Sequence, residues 1–177
     1  EAVTGLLKII DGLQASDNIT VTYASTGAPA PATIGAYQIT ATLNDPNNRL
    51  GNYTVTLNTG TLTVTQRALT VTPDNKNKVY GTVFAAFTGN IAGIQNGDNI
   101  TATYTSLGAP ATAAVGIYDI TATLNDPGSK LANYTVTLNI GTLTVTQRAL
   151  VVSPNNQTKI YGDTFTAYTA IVNGIQN

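Results

Sequence analysis

A chain of 177 residues with 8 Lys and Arg against 9 Asp and Glu is close to neutral, so it lacks the clustered basic surface needed to track a nucleic-acid backbone. It contains no His and no Cys, which removes imidazole-based triads, the usual zinc sites and disulfides, and leaves each domain to stand on its core alone. Thr is the commonest residue, Gly and Asn are plentiful and only 10% of residues are charged, which is a β composition. The absence of Cys, Met and Trp suits an exposed protein that cannot repair oxidation.

In chain order, Glu1 to Lys8 lack the charged start, apolar run and small-residue cleavage site of a secretory leader, and no later run approaches the ~20 apolar residues of a membrane helix. The chain then repeats itself with a fixed period of 81 residues. GTLTVTQRAL at Gly60 to Leu69 recurs letter for letter at Gly141 to Leu150, and NYTVTLN at Asn52 recurs at Asn133. TATLNDP at Thr40 to Pro46 recurs at Thr121 to Pro127, and VYG at Val79 is answered by IYG at Ile160. Between Asp17 to Pro73 and Asp98 to Pro154, 42 of 57 positions are identical. Such a period is the signature of a tandem array of small domains. The length is two periods of 81 plus 15, so the sequence reads as a window on a longer polymer, with address information expected outside it. The expected organisation is a partial repeat at 1–66 that lacks its first strands, a complete repeat at 67–147 and the start of a third at 148–177.

Within the complete repeat, ALTVTP at Ala68 to Pro73 and KVYG at Lys78 to Gly81 read as strands, followed by a weaker strand or single turn across Phe84 to Ile94. Alternation of period two then puts Ile100, Ala102 and Tyr104 on one face and Thr101, Thr103 and Thr105 on the other. Tyr118, Ile120, Ala122 and Leu124 oppose Asp119, Thr121 and Thr123 in the same way. Tyr134, Val136 and Leu138 are expected inward, as are Leu143 and Val145 against Thr142, Thr144 and Thr146. The breakers fall between these runs, at Pro73-Asp74-Asn75, Asn96-Gly97-Asp98, Gly108-Ala109-Pro110, Asn125-Asp126-Pro127-Gly128 and Asn139-Ile140-Gly141. The last is short enough to predict that NYTVTLN and GTLTVTQ form a hairpin.

Six or seven short, half-buried antiparallel strands without helical periodicity predict an all-β, immunoglobulin-like sandwich. A β-grasp-like sheet with one short helix near Phe84 to Ile94 is the alternative. The junction follows from parity: Leu62 and Val64 have even numbers, whereas Leu69 and Val71 have odd ones. One strand cannot bury both sets in one sheet, so the chain changes core at Gln66-Arg67-Ala68, and again at Gln147-Arg148-Ala149. No Pro/Gly/Ser-rich linker intervenes, which predicts a short, stiff joint.

The order ALTVTP, Val79-Tyr80-Gly81, Asn96-Gly97-Asp98, Val115 to Thr121, Asn133 to Val136 and Gly141 to Val145 resembles the MBG repeats of bacterial surface proteins, notably the type marked by a Tyr-Gly pair. The resemblance covers essentially the whole chain. It implies a segment of a very large secreted adhesin or haemagglutinin-like protein, including the cell-surface adhesins of gliding bacteria, and it carries over no catalytic residue. The first copy departs from the pattern with Ala15-Ser16-Asp17 in place of Asn96-Gly97-Asp98.

The chemical inventory points away from an enzyme: Glu occurs only at Glu1, and Asp98, Asp119 and Asp126 read as solvated strand and turn residues, not as an acid/base pair. Asn125-Asp126 and Asn96-Asp98 place oxygen ligands in loops, but without the dense acidic run that a calcium site wants. Tyr80 reads as a core tyrosine bonded to backbone beside a positive-φ Gly81. The sequons at Asn99, Asn133 and Asn156 are strand and turn letters in a bacterial protein, and a Lys-to-Asn crosslink from Lys76, Lys78 or Lys159 finds no nominated carboxylate. The reading that results is a non-catalytic spacer or filament body with no cofactor and no metal. Its weight rests on the junctions Gln66-Arg67 and Gln147-Arg148, the turns at Gly97 and Gly141, and the cores around Tyr118 and Tyr134. Its expected partners are neighbouring repeats and other copies in a filament, without nucleic acid and without membrane insertion of this segment. The second reading is a glycan- or ice-binding module using the exposed rows Thr101/Thr103/Thr105, Thr121/Thr123, Thr135/Thr137 and Thr142/Thr144/Thr146.

Overall fold

Apolar residues alternate with Thr through most of the chain, and in the computed structural model, which describes residues 10–14 and 16–176, these segments are strands. The leader reading of Glu1 to Lys8 and the Ala15 of the Ala15-Ser16-Asp17 turn lie outside the described residues. The strands are β1 (Thr20–Ala24), β2 (Gly35–Asn44), β3 (Gly60–Val64), β4 (Arg67–Pro73), β5 (Lys76–Val79) and β6 (Gly89–Ala92). They continue with β7 (Thr101–Thr105), β8 (Gly116–Asn125), β9 (Tyr134–Leu138), β10 (Gly141–Thr146), β11 (Val151–Pro154) and β12 (Ala170–Asn173). Helical structure among the described residues is limited to single 3-10 turns at Leu50–Asn52 and Leu131–Asn133. Residues 84–94 hold β6 and not the helix of a β-grasp, so the fold is all-β and sandwich-like.

Two compact units emerge. One takes the described residues up to Arg67 with Gln95–Gly97 and Lys130–Thr135; the other takes Ala68–Ile94, Asp98–Ser129 and the residues from Val136 onward. In the second, a four-stranded sheet of order β5-β10-β8-β7 accompanies a three-stranded sheet of order β6-β4-β9. The inward residues of both sheets form the core: Leu69 and Val71 from β4, Ile120 from β8 and Leu143 from β10 are all 0% exposed. Each such side chain stabilises the fold by about 2 kcal/mol on burial. Pairing is antiparallel between β7 and β8, β8 and β10, and β4 and β6, but β5 runs parallel to β10.

The expected hairpin between NYTVTLN and GTLTVTQ is not formed. β9 lies in the sheet of β4, and β10 in the sheet of β5 and β8, so the chain switches sheets at Asn139-Ile140. Asn139 still bonds into the sheet of β4, its N–H donating to Val71 O at 2.9 Å, while Gly141 is buried against Pro73, where a Cβ would come within 3.0 Å of its carbonyl oxygen. Val136 and Leu138 are exposed, because β9 is an edge strand and only its first residue, Tyr134, reaches the core. Gly97 has φ 70° after Asn96 at φ 55°, a turn that needs the left-handed region twice in succession.

In the first unit, β1, β2 and β3 form a sheet in that order. Its registers, Thr20↔Asn44 and Gly60↔Ile39, reproduce Thr101↔Asn125 and Gly141↔Ile120 with every number shifted by 81. Gln66 binds two ways inside this unit, its side-chain amide donating to Ala132 O at 3.1 Å and its Oε1 accepting from the Thr135 hydroxyl at 3.2 Å. Asn133 Oδ1 accepts from Ile34 N–H at 3.0 Å, and Asn96 Nδ2 donates to Ala30 O at 3.2 Å.

Asp45 closes the turn before Leu50–Asn52: Arg49 N–H donates to Oδ1 at 2.9 Å and Leu50 N–H to Oδ2 at 2.8 Å. The Arg49 amide, then that of Leu50, holds the carboxyl below its usual range. A carboxylate with a depressed folded pKa contributes stability that is present above its ordinary pKa and lost as pH falls through the lowered one. Thermal melts are therefore expected to show the first unit weakening below the ordinary carboxylate range, and Asp45→Asn is expected to flatten that acid limb. An unchanged limb in the variant would show that Asp45 does not contribute to it.

Candidate functional site

The structural feature that sets the complete repeat apart from a run of hairpins is the parallel pair β5–β10. Antiparallel neighbours follow from local turns, but a parallel pair joins segments far apart in sequence, and here Lys76–Val79 meets Leu143–Thr146 in the register Lys76↔Leu143, Asn77↔Thr144, Lys78↔Val145, Val79↔Thr146. The pair is extended at both ends. Thr142 N–H donates to Asn75 Oδ1 at 2.8 Å, and Tyr80 N–H donates to Thr146 O at 2.9 Å. The Thr146 hydroxyl also donates to Lys78 O at 3.1 Å. These contacts tie the second strand of the complete repeat to its last one.

Lys78 lies within this pair and is 7% exposed. Its ammonium donates to Thr82 O at 3.0 Å, to Ala109 O at 3.2 Å and to Pro110 O. A buried ammonium without acceptors would be prohibitive, and the three carbonyls replace its water. Lys78 thus fastens β5 to the 108–110 loop. That loop is shaped by Tyr118, whose hydroxyl donates to Ala114 O at 2.9 Å and whose ring covers Gly108, where a Cβ would lie 2.7 Å from the ring. Tyr37 and Gly27 repeat the arrangement 81 residues earlier, with the Tyr37 hydroxyl donating to Thr33 O at 2.8 Å. Gly108→Ala is expected to push Tyr118 aside and lower the melting temperature of the second unit by several degrees; an unchanged melt would show that the ring yields freely.

At the start of β5, Asp74 accepts from the Thr88 hydroxyl and lies 3.5 Å from Lys76 Nζ. The Thr88 bond, with Lys76 adding to it, holds this carboxyl below its usual range. Tyr134, buried at the head of β9, accepts a hydrogen bond from Gln95 N–H at 3.0 Å through its hydroxyl.

Two family models match. Residues 69–144 match the MBG domain of YGX type, and residues 13–68 match the MBG domain. This chain is an array of MBG repeats. MBG domains occur in surface adhesin-like proteins. No curated protein and no solved structure matches the chain.

The Tyr-Gly pair that marks this type of MBG repeat is not a core pair. Tyr80 is 38% exposed, because β5 stops at Val79 and the chain turns at once, with Gly81 at φ 86° and Thr82 N–H returning to Val79 O at 3.2 Å. Its role in the repeat is the main-chain bond to Thr146. The lysines considered for a crosslink are engaged elsewhere: Lys78 with three carbonyls, Lys76 with Asp74, and Lys159 with Asp163 O at 3.3 Å. Among the described residues no three His, Cys, Asp or Glu side chains come together, so Asp98, Asp119 and Asp126 form no shared donor set. No helix of the described residues is long and apolar enough to cross a membrane.

Three of the four Thr rows share the outer face of the sheet β5-β10-β8-β7, and Thr135/Thr137 lies on β9 in the other sheet. On β7 and β8 the rows adjoin, with Thr103 opposite Thr123 and Thr105 opposite Thr121. Toward β10 they are interrupted, since Asp119 stands opposite Thr142 and Ile117 opposite Thr144. Thr105, Leu107, Ile117, Asp119 and Thr121 line a shallow depression there. The first copy has Ala24, Thr26, Ala36, Gln38 and Thr40 at these positions, so four of the five differ. The depression is therefore a local variation on a shared scaffold, and sequence reasoning about regular Thr rows missed it because it follows strand pattern and not sheet order.

Proposed function

We propose that this segment is a load-bearing spacer or filament body of a large secreted bacterial surface adhesin, extracellular and non-catalytic. The observation that carries the reading is the parallel pairing of β5 with β10. When tension enters a repeat at Arg67 and leaves at Gln147, it passes through β4 to β5, which is pulled toward its N-terminal end, while β10 is pulled toward its C-terminal end. In a parallel pair those directions oppose each other along the strand axis, so the ladder is loaded in shear and its bonds must fail together. An antiparallel pair loaded at the same open end would unzip one bond at a time. The partners that fit this role are neighbouring repeats and other copies of the chain.

Stretching the full chain between its ends in an optical trap tests the reading. The complete repeat is expected to rupture in one discrete step, releasing roughly 290 Å of chain from its 81 residues at about 3.6 Å each. Smooth extension without a rupture would remove it.

A second reading, a surface glycan held on the outer β7–β8 face, is favoured by the adjoining Thr rows and the exposed Leu107, Ile117 and Asp119 beside them. The carboxylate and hydroxyls offer acceptors and donors to sugar hydroxyls, and the two aliphatic side chains offer an apolar platform. The break at Asp119 and Ile117 speaks against a regular ice-matching lattice. A glycan array probed with the full chain decides this reading, which stands only if binding is lost on Asp119→Ala.

A further inference from the structure

Two parallel strands paired in register have their C-terminal ends on the same side. β5 and β10 end opposite each other, Val79 against Thr146, so the 80–82 turn that follows β5 and the Gln147 that follows β10 emerge at one end of the repeat. The Lys78 ammonium ties a third segment to that end, bonding Thr82 O in the turn together with Ala109 O and Pro110 O in the loop, and the Phe84 amide adds a bond to Ala109 O at 2.9 Å. By the 81-residue period the next repeat begins there, at Arg148. A turn, a loop and the exit strand are thus gathered where the chain passes from one repeat to the next.

Residues from both sides of a junction meet inside the first unit, which holds Gln95–Gly97 and Lys130–Thr135 of the complete repeat beside the described residues up to Arg67. Their contacts fall on the counterparts of that same end. Asn96 Nδ2 donates to Ala30 O and Ile34 N–H donates to Asn133 Oδ1, and Ala30 and Ile34 correspond to Ala111 and Val115 of the loop. Gln66, the counterpart of Gln147, donates to Ala132 O and accepts from the Thr135 hydroxyl. In the second unit the residue that corresponds to Gln95 is Gln176, and it lies over the turn: a Cβ on Gly81 would collide with its side chain. Gln95 and Asn96 are adjacent, so the same loop of a following repeat is seen on the loop site in the first unit and on the turn site in the second.

We propose that the 80–82 turn, the 109–115 loop and Gln147 form one docking face whose partner is the following repeat of the same chain, which sets its counterparts of Gln95–Gly97 and Lys130–Thr135 onto it. The Tyr-Gly pair then belongs to the joint between repeats. Gly81 takes φ 86° to turn the chain directly after β5, and its missing side chain leaves room for the glutamine of the next copy. Lys78 holds turn and loop together, so it shapes the face without touching the partner. The side chains that make the contacts, Gln66, Asn96, Asn133, Thr135 and Gln176, are all uncharged, so salt has no ion pair among them to screen. Domains joined by a short connection move relative to one another unless an interface restrains them, and this face supplies the restraint whether or not the array bears load.

The chain has no cysteine, so Thr42→Cys with Lys130→Cys places the only two thiols at exposed positions of the first unit, one on each side of the junction. Spin labels there on the full chain are expected to give a single narrow distance distribution by double electron–electron resonance, the same at low and at high salt. Adding Gln66→Ala and Asn133→Ala is expected to abolish the single peak while the thermal unfolding of the chain is retained. Labels at Thr123→Cys and Ser153→Cys, both exposed and both in the second unit, test the turn site. Their narrow distribution is expected to be lost with Gly81→Ala, and also with Gln176→Ala, which removes the contact without straining the backbone at Gly81. A parent distribution already as broad as that of the variants, widths unchanged in the variants, or a width that grows with salt overturns the proposal.

Discussion

Replacing Leu143 by Ala is expected to cost the second unit about 3 kcal/mol, the combined loss of apolar burial and the cavity left behind. Leu143 is fully buried and stands on β10 between β8, at Tyr118, and β5, at Lys76. A domain of about 80 residues has on the order of 5 kcal/mol of stability, so the variant keeps little of it and its melting temperature falls by about 15 °C. Ile117→Ala, on the outer face of the same sheet and 74% exposed, is expected to change stability by less than about 0.5 kcal/mol. Differential scanning calorimetry on the two variants checks the assignment of faces. Equal losses would mean that the inward and outward sets are not as described.

The second large effect belongs to Lys78. Lys78→Met keeps most of the apolar stem and removes the ammonium, so the bonds to Thr82 O, Ala109 O and Pro110 O are lost together. Ala109 O retains the Phe84 amide and Pro110 O the Ala113 amide, which leaves Thr82 O most affected. The expected cost is about 2 kcal/mol, within the range that hydrogen bonding to a charged group contributes. Chemical denaturation measures it, and an unchanged midpoint would show that the ammonium is not needed where it is buried. Under load the same variant is expected to rupture sooner, because forced unfolding follows the unfolding rate and Lys78 lies within the strand that the proposed load path shears.

Much of this fold was legible in the sequence because period-two alternation is a local signal. Leu69, Val71, Ile120, Leu143 and Val145 are inward as their spacing dictates, and the parity change before Leu69 coincides with a change of sheet, β3 pairing with β2 and β4 with β6 and β9. Three features were not legible. Asn139-Ile140 has the length of a hairpin loop, yet a connection of that length also serves a chain that leaves one sheet for the other, and only the non-local bond from Asn139 to Val71 separates the two cases. Lys78 reads only as the first letter of the KVYG strand and a crosslink candidate, because nothing nearby in sequence announces the carbonyls of residues 109 and 110 that receive it. The parallel pair joins residues 67 apart, Lys76 with Leu143, and neither pattern nor composition specifies such a partner. The candidate site was thus invisible in advance even though every strand in it was expected.

A repeat that bears load through β5 and β10 resists tension more in one direction than in another, and direction can be measured. Cysteine handles placed on the full chain at Arg67 and Gln147 load the pair in shear, whereas handles at Thr82 and Gln147 pull on adjacent C-terminal ends of the same two strands and unzip it. Single-molecule stretching at one loading rate is expected to give a clearly higher rupture force for Arg67/Gln147 than for Thr82/Gln147. Equal forces, or a higher force in the unzipping direction, would contradict a load-bearing role for the parallel pair.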